Sequence, residues 1–134
     1  MRPKPKNIRD VPAQELVVRS TGEKLTVAKS LTEPFGLKSL LVHQEVIAPG
    51  RRASSFHFYS AKEEVFYVLE GHPTAMVGTE FIDLAPGDFI GFQPSPDAPH
   101  MLFNRSPAPA TVLTIGTNPP DDQITCLEGP EPRA

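Results

Sequence analysis

Four residues in the middle of this chain are of types that bind metal ions or move protons: His57, Tyr59, Glu64 and His100. The first three and the last lie in short stretches dense in aromatic and aliphatic residues, a composition that favours strands. Side chains along a strand alternate between its two faces. His57 and Tyr59 therefore share a face, as do Glu64, Phe66, Val68 and Glu70 on the next stretch, and His100, Leu102 and Asn104 on a third. Two imidazoles and one carboxylate, each on a different strand, can converge inside a barrel. Such a donor set suits a facial Fe(II) site and is equally open to Zn, Mn or Ni. A carboxylate at Glu64 is costly to bury alone, so a cation or hydrogen-bonding partners are expected beside it.

The elements that must position these residues are legible in the punctuation of the chain. Its 134 residues, about the size of one ordinary domain, include 16 prolines and 9 glycines. Proline inside a helix costs about 3 kcal/mol, which leaves little room for long helices. Strand-like runs fall at 37–47, 56–59, 64–70, 74–77, 80–84, 88–93, 100–104 and 111–116, separated by turn chemistry such as Ala48-Pro49-Gly50, Gly78-Thr79 and Pro86-Gly87-Asp88. Many short strands in one compact unit predict an all-β sandwich, jelly roll or barrel. Residues 1–36 read as an N-terminal arm with two short strand-like pieces, 37–117 as the barrel, and 118–134 as an extended Pro-rich, acidic tail.

In this frame the sequence resembles the cupin superfamily through both of that family's motifs. The first runs from Gly50 through His57, Tyr59 and Glu64 to Tyr67-Val68-Leu69-Glu70-Gly71; the second runs from Pro86-Gly87-Asp88 through Pro94 to His100 and Asn104. The resemblance covers roughly residues 37–117. It implies a double-stranded β-helix (a jelly-roll barrel) and a divalent metal, Fe, Mn, Zn or Ni, held by His57, Glu64 and His100. Tyr59 stands where the family pattern has a second histidine. A phenol with an ordinary pKa near 10 is a poor ligand at neutral pH, so Tyr59 is expected to act as a proton donor or a weak ligand. Phe66 and Leu102 are expected to wall the substrate pocket with Tyr59, and Asn104 to face it.

Composition excludes several other classes. Cys126 is the only cysteine, so no intrachain disulfide forms. Net charge is −3, and the single basic cluster (Arg2, Lys4, Lys6, Arg9) is broken by prolines, which argues against nucleic-acid binding. No apolar run approaches the ~20 residues of a membrane span, and no apolar signal segment opens the chain, so a cytoplasmic protein is expected. His72 reads as surface, His43 is open between pocket and solvent, and Arg51 and Arg52 sit where they can reach an anion at the barrel mouth. The expected function is binding of a small molecule at the metal, with oxygenase, isomerase or decarboxylase chemistry open. The alternative is a non-enzymatic sensor barrel with a degenerate, metal-free site. The cupin resemblance also implies a homodimer formed by exchanging or pairing N-terminal strands, to which the polar arm with its two strand-like pieces is suited.

Overall fold

The computed structural model describes residues 2–129. Its eleven strands form two antiparallel sheets that face one another, a double-stranded β-helix. The larger sheet has the order β1 (Gln14–Val17), β2 (Lys24–Ser30), β3 (Leu40–Ile47), β10 (Ala110–Thr117), β5 (Glu64–Glu70) and β8 (Phe89–Phe92). The smaller has β11 (Ile124–Leu127), β4 (Phe56–Tyr59), β9 (His100–Phe103), β6 (Thr74–Val77) and β7 (Glu80–Asp83). Helical structure among the described residues is limited to two 3-10 turns, Ile8–Asp10 and Glu33–Phe35. Among the described residues no helix is long and apolar enough to cross a membrane.

Alternation along the strands sorts the side chains. Ile47, Phe66, Val68, Ala75, Leu102 and Val112 point inward from both sheets and form one buried cluster. A second cluster of Phe56, Met76, Met101 and Phe103 lies on the outer face of the smaller sheet.

Three details differ from the sequence expectation. The strand predicted to begin at Leu37 begins at Leu40, because Leu37 still donates its N–H to Thr32 O (3.3 Å) in the turn ended by Gly36, whose φ is +68°. The two arm pieces are strands of the larger sheet, with β2 paired to β3 from Val27↔Val46 to Ser30↔His43. Within the predicted tail, Ile124–Leu127 is a strand that pairs with the whole of β4. Without it the outer backbone groups of the strand carrying His57 would have no ladder partner. Residues 130–134 of that tail lie outside the described residues.

One glycine is fixed by close approach as well as by dihedral. Gly71 ends β5 at φ +80°, and a Cβ there would meet Pro109 O at 2.6 Å and Ala110 Cα at 2.7 Å. Both are backbone atoms where β10 begins and cannot swing away. Gly71→Ala is therefore expected to cost about 2–3 kcal/mol, read as a lower urea midpoint; an unchanged midpoint would contradict this packing.

Candidate functional site

The site is assembled across the gap between the two sheets. His57 on β4 and His100 on β9 are direct register partners in the smaller sheet, with ring centroids 4.8 Å apart. Glu64 projects towards them from the first position of β5 in the larger sheet. Both histidines are buried. One ligand atom from each of the three residues lies within 4.8 Å of the others.

The tautomers of the two histidines follow from their partners. His57 Nδ1 is 2.6 Å from Ser55 O, and His100 Nδ1 is 3.0 Å from Ala98 O. A carbonyl oxygen only accepts, so each Nδ1 carries the proton and donates it. Both Nε2 atoms are left to face Glu64 Oε1, at 3.7 Å from His57 and 3.0 Å from His100. Phe92 stacks on the His100 ring at 3.7 Å between centroids, 8° from parallel, and fixes its plane.

Burial pushes the Glu64 carboxyl up, but the hydrogen bond with His100, the adjacent His57 ring and the Lys62 ammonium outweigh it and bring it to about 2. Glu64 is thus a carboxylate. With both Nδ1 protons committed to carbonyls, the 3.0 Å hydrogen bond from His100 Nε2 to Glu64 Oε1 needs a second proton on that ring. A proton on His100 Nε2 would satisfy only the 3.0 Å contact. His57 Nε2 would remain as it is found, a buried nitrogen with no hydrogen-bond partner. A single divalent cation satisfies all three atoms together, and the imidazole–carboxylate set fits one.

Tyr59 lies beside the triad, its ring edge-on to His57 at 5.0 Å between centroids. Burial, with a smaller push from the Glu64 charge, raises its phenol well above the usual value. It faces the site as a neutral hydroxyl. Phe66 and Leu102 line the same chamber, together with Ala53 and Ser54. Asn104 does not fulfil the expectation placed on it. Its amide donates to Ile47 O and Ala108 O, both at 2.8 Å, and its oxygen accepts from Ser106 N at 3.0 Å and Ser106 Oγ at 2.6 Å. Every polar atom of the side chain is used to hold the turn after β9.

Several groups at the site escape the motif pattern. Lys62 places its ammonium 3.9 Å from Glu64 Oε2 and 4.9 Å from the Tyr59 ring centroid. Gly116 makes that possible, since a Cβ there would lie 2.5 Å from Lys62 Cε. The turn bearing Lys62 is held by Asp122, whose Oδ1 accepts from Ala61 N (2.7 Å), Lys62 N (3.2 Å) and Ser60 Oγ (3.2 Å). Alternation along β3 from buried Ile47 turns His43 and Glu45 into the chamber, which resolves the open question at His43. Arg51 and Arg52 are turned to the arm instead. Arg52 forms a bidentate pair with Glu23 (2.9 and 2.6 Å), and Arg51 lies 4.0 Å from Glu15.

The chain belongs to the cupin family: the model of the cupin domain matches residues 43–116. Among solved structures it is similar to a protein of Acidithiobacillus ferrooxidans provisionally named a sugar phosphate isomerase, with 33% identity, TM-score 0.71, and coverage of 75% of this chain and 64% of that one. It is also similar to a sugar phosphate isomerase of Silicibacter pomeroyi from the cupin superfamily, with 26% identity, TM-score 0.73, and coverage of 78% and 66%. The chain thus spans slightly less than two thirds of either protein's length. The polyketide cyclase RemF of Streptomyces resistomycificus shares the fold at 22% identity and TM-score 0.76, with coverage of 95% of this chain and 88% of that one. Nothing among the curated proteins matches.

The role found for Asn104 has a direct consequence. Asn104→Ala removes the donor to the buried Ile47 O and to Ala108 O and the acceptor of Ser106 N and Oγ, and is expected to cost about 3 kcal/mol. Chemical denaturation measures that loss, while metal content of the folded variant should equal that of wild type. A stable variant with altered metal content would return Asn104 to the pocket.

Proposed function

We propose that this cupin binds a small molecule at a divalent metal held by His57, Glu64 and His100, and acts on it as an enzyme. The orphaned Nε2 of His57, aimed with His100 Nε2 at an ionised Glu64, carries this reading. Bound there, a divalent ion would polarise an oxygen of the substrate. The chain's own residues do the rest. The carbonyls of Ser55 and Ala98 fix the tautomer in which each Nε2 lone pair is presented. Phe66, Leu102 and Phe92 exclude water from one side of the chamber, which strengthens every charge interaction inside it. Tyr59, kept as a neutral phenol with its ring 5.0 Å from that of His57, donates a hydrogen bond or a proton to the substrate. Oxygenation, isomerisation and decarboxylation all suit such a site, and two relatives named as sugar phosphate isomerases favour isomerisation.

A non-enzymatic ligand-binding barrel is the second reading. It is favoured by Tyr59 occupying the place of the family's second histidine, which leaves three protein donors.

Metal analysis separates the two. After supplementation with Fe, Mn, Zn and Ni in turn, wild type should retain about one ion per chain. His57→Ala and His100→Ala should each reduce affinity at least about tenfold, and Tyr59→His should tighten it. Wild type that retains none of the four, beside a Tyr59→His variant that does, would establish a lost site and the second reading.

The reading also includes a homodimer. Two features support it: β1 is an edge strand with an outer side open to pairing, and Leu40, Tyr67 and Phe89 leave apolar surface exposed on the outer face of the larger sheet. Light scattering should give twice the 14.6 kDa chain mass; a mass of one chain at micromolar concentration would contradict it.

A further inference from the structure

The chamber around the triad is small, about 170 Å³. That is below the roughly 300–1,000 Å³ usual for a small-molecule site. A second cavity of about 480 Å³ lies between the N-terminal arm and the barrel, and the two share Leu16, His43 and Glu45 as wall. Together they reach the usual size. The two cavities adjoin at these three side chains, and a molecule with one end at the triad would pass them to reach the vestibule under the arm.

The two ends differ in character. In the chamber Lys62 is the single lysine or arginine of the wall, positioned by the missing side chain of Gly116. The arginines nearest in sequence are engaged by Glu15 and Glu23 on the arm side. In the vestibule Val11, Pro12, Leu16, Ala28 and Pro34 supply apolar surface, while Glu33 and Glu45 are its acidic groups and it contains no lysine or arginine. Leu16 is set into this wall by the irregularity in β1 between Glu15 and Val17. With a divalent ion at the triad, its charge and that of Lys62 exceed that of Glu64, so an anion is favoured at the inner end, while the outer end has no lysine or arginine among its described residues to receive one. Burial raises the Glu45 carboxyl at the junction of the two cavities.

We propose that the ligand is a small amphipathic carboxylate, with its carboxylate beside Lys62 at the triad and its apolar tail in the vestibule against Leu16. This rests on the small-molecule site proposed above and adds the class of molecule it takes. Lys62 recognises the charge, and the arm, through Leu16, selects for tail length.

Calorimetric titration with straight-chain carboxylates from acetate to octanoate tests it, on the full chain with and without Mn²⁺. Affinity should rise about fourfold for each methylene that enters the vestibule. Leu16→Ala should flatten that rise for the longer acids. Lys62→Met should weaken every acid about tenfold or more, and Lys62→Arg should restore most of the loss. Thermal melts of each variant confirm folding, and Gly116→Ala, which displaces the lysine stem, substitutes for Lys62→Met if that variant is unstable. Affinity independent of chain length, or undiminished in Lys62→Met, would overturn the proposal. Manganese content of the same samples reports on the metal separately. Length-dependent binding without bound metal would keep this inference and sink the metal site; bound metal with no length dependence would do the reverse.

Discussion

A carboxylate and two imidazole nitrogens converge in one buried chamber, where a single positive ion between them would satisfy all three. The rest of this structure is arranged around that constraint. Ser55 O and Ala98 O each claim one imidazole proton, which directs the bare nitrogens inward. Glu64 is ionised, because its neighbours outweigh the effect of burial. Removing the cation from such an arrangement leaves a desolvated nitrogen unpartnered, a penalty of about 1–3 kcal/mol in a folded interior. Proteins seldom retain that cost away from functional sites.

Position follows from strand pairing. His57 and His100 meet because β4 and β9 place them opposite one another, and Glu64 meets them because β5 opens directly across the barrel. A slip of one residue in either sheet would turn these side chains to the other face. Two elements outside the barrel motifs keep the geometry fixed. The strand Ile124–Leu127 seals the edge of β4, and Asp122 just before it ties down the turn that carries Lys62. The chain after the barrel therefore serves the site, although its proline-rich, acidic composition suggests a loose extension.

Much of this was legible in the sequence, and for a physical reason. Period-two alternation depends only on the strand itself, so the inward phase of His57, Glu64 and His100 could be read without knowing any partner. Proline and glycine mark turns through their own dihedral limits, so the succession of strands was also readable. What required three dimensions was pairing. The role of Asn104 is set by carbonyls of Ile47 and Ala108, one of them distant in sequence, and alternation alone suggests the pocket instead. Lys62 reaches the triad only because Gly116, paired opposite Glu64, has no side chain. A glycine's value to a neighbour across a sheet leaves no trace in local pattern. His43 and Glu45 lay between these cases: their phase was visible, but which face of their strand looked inward was settled by Ile47 in the core.

The central claim is that one divalent ion is bound by both Nε2 atoms and Glu64 together. X-ray absorption at the metal edge of the Mn- or Zn-loaded protein tests it most directly. The account predicts a first shell of nitrogen and oxygen that includes two imidazole rings, with one imidazole contribution lost in His57→Ala. A shell of water oxygens alone, without imidazole scattering, would contradict it.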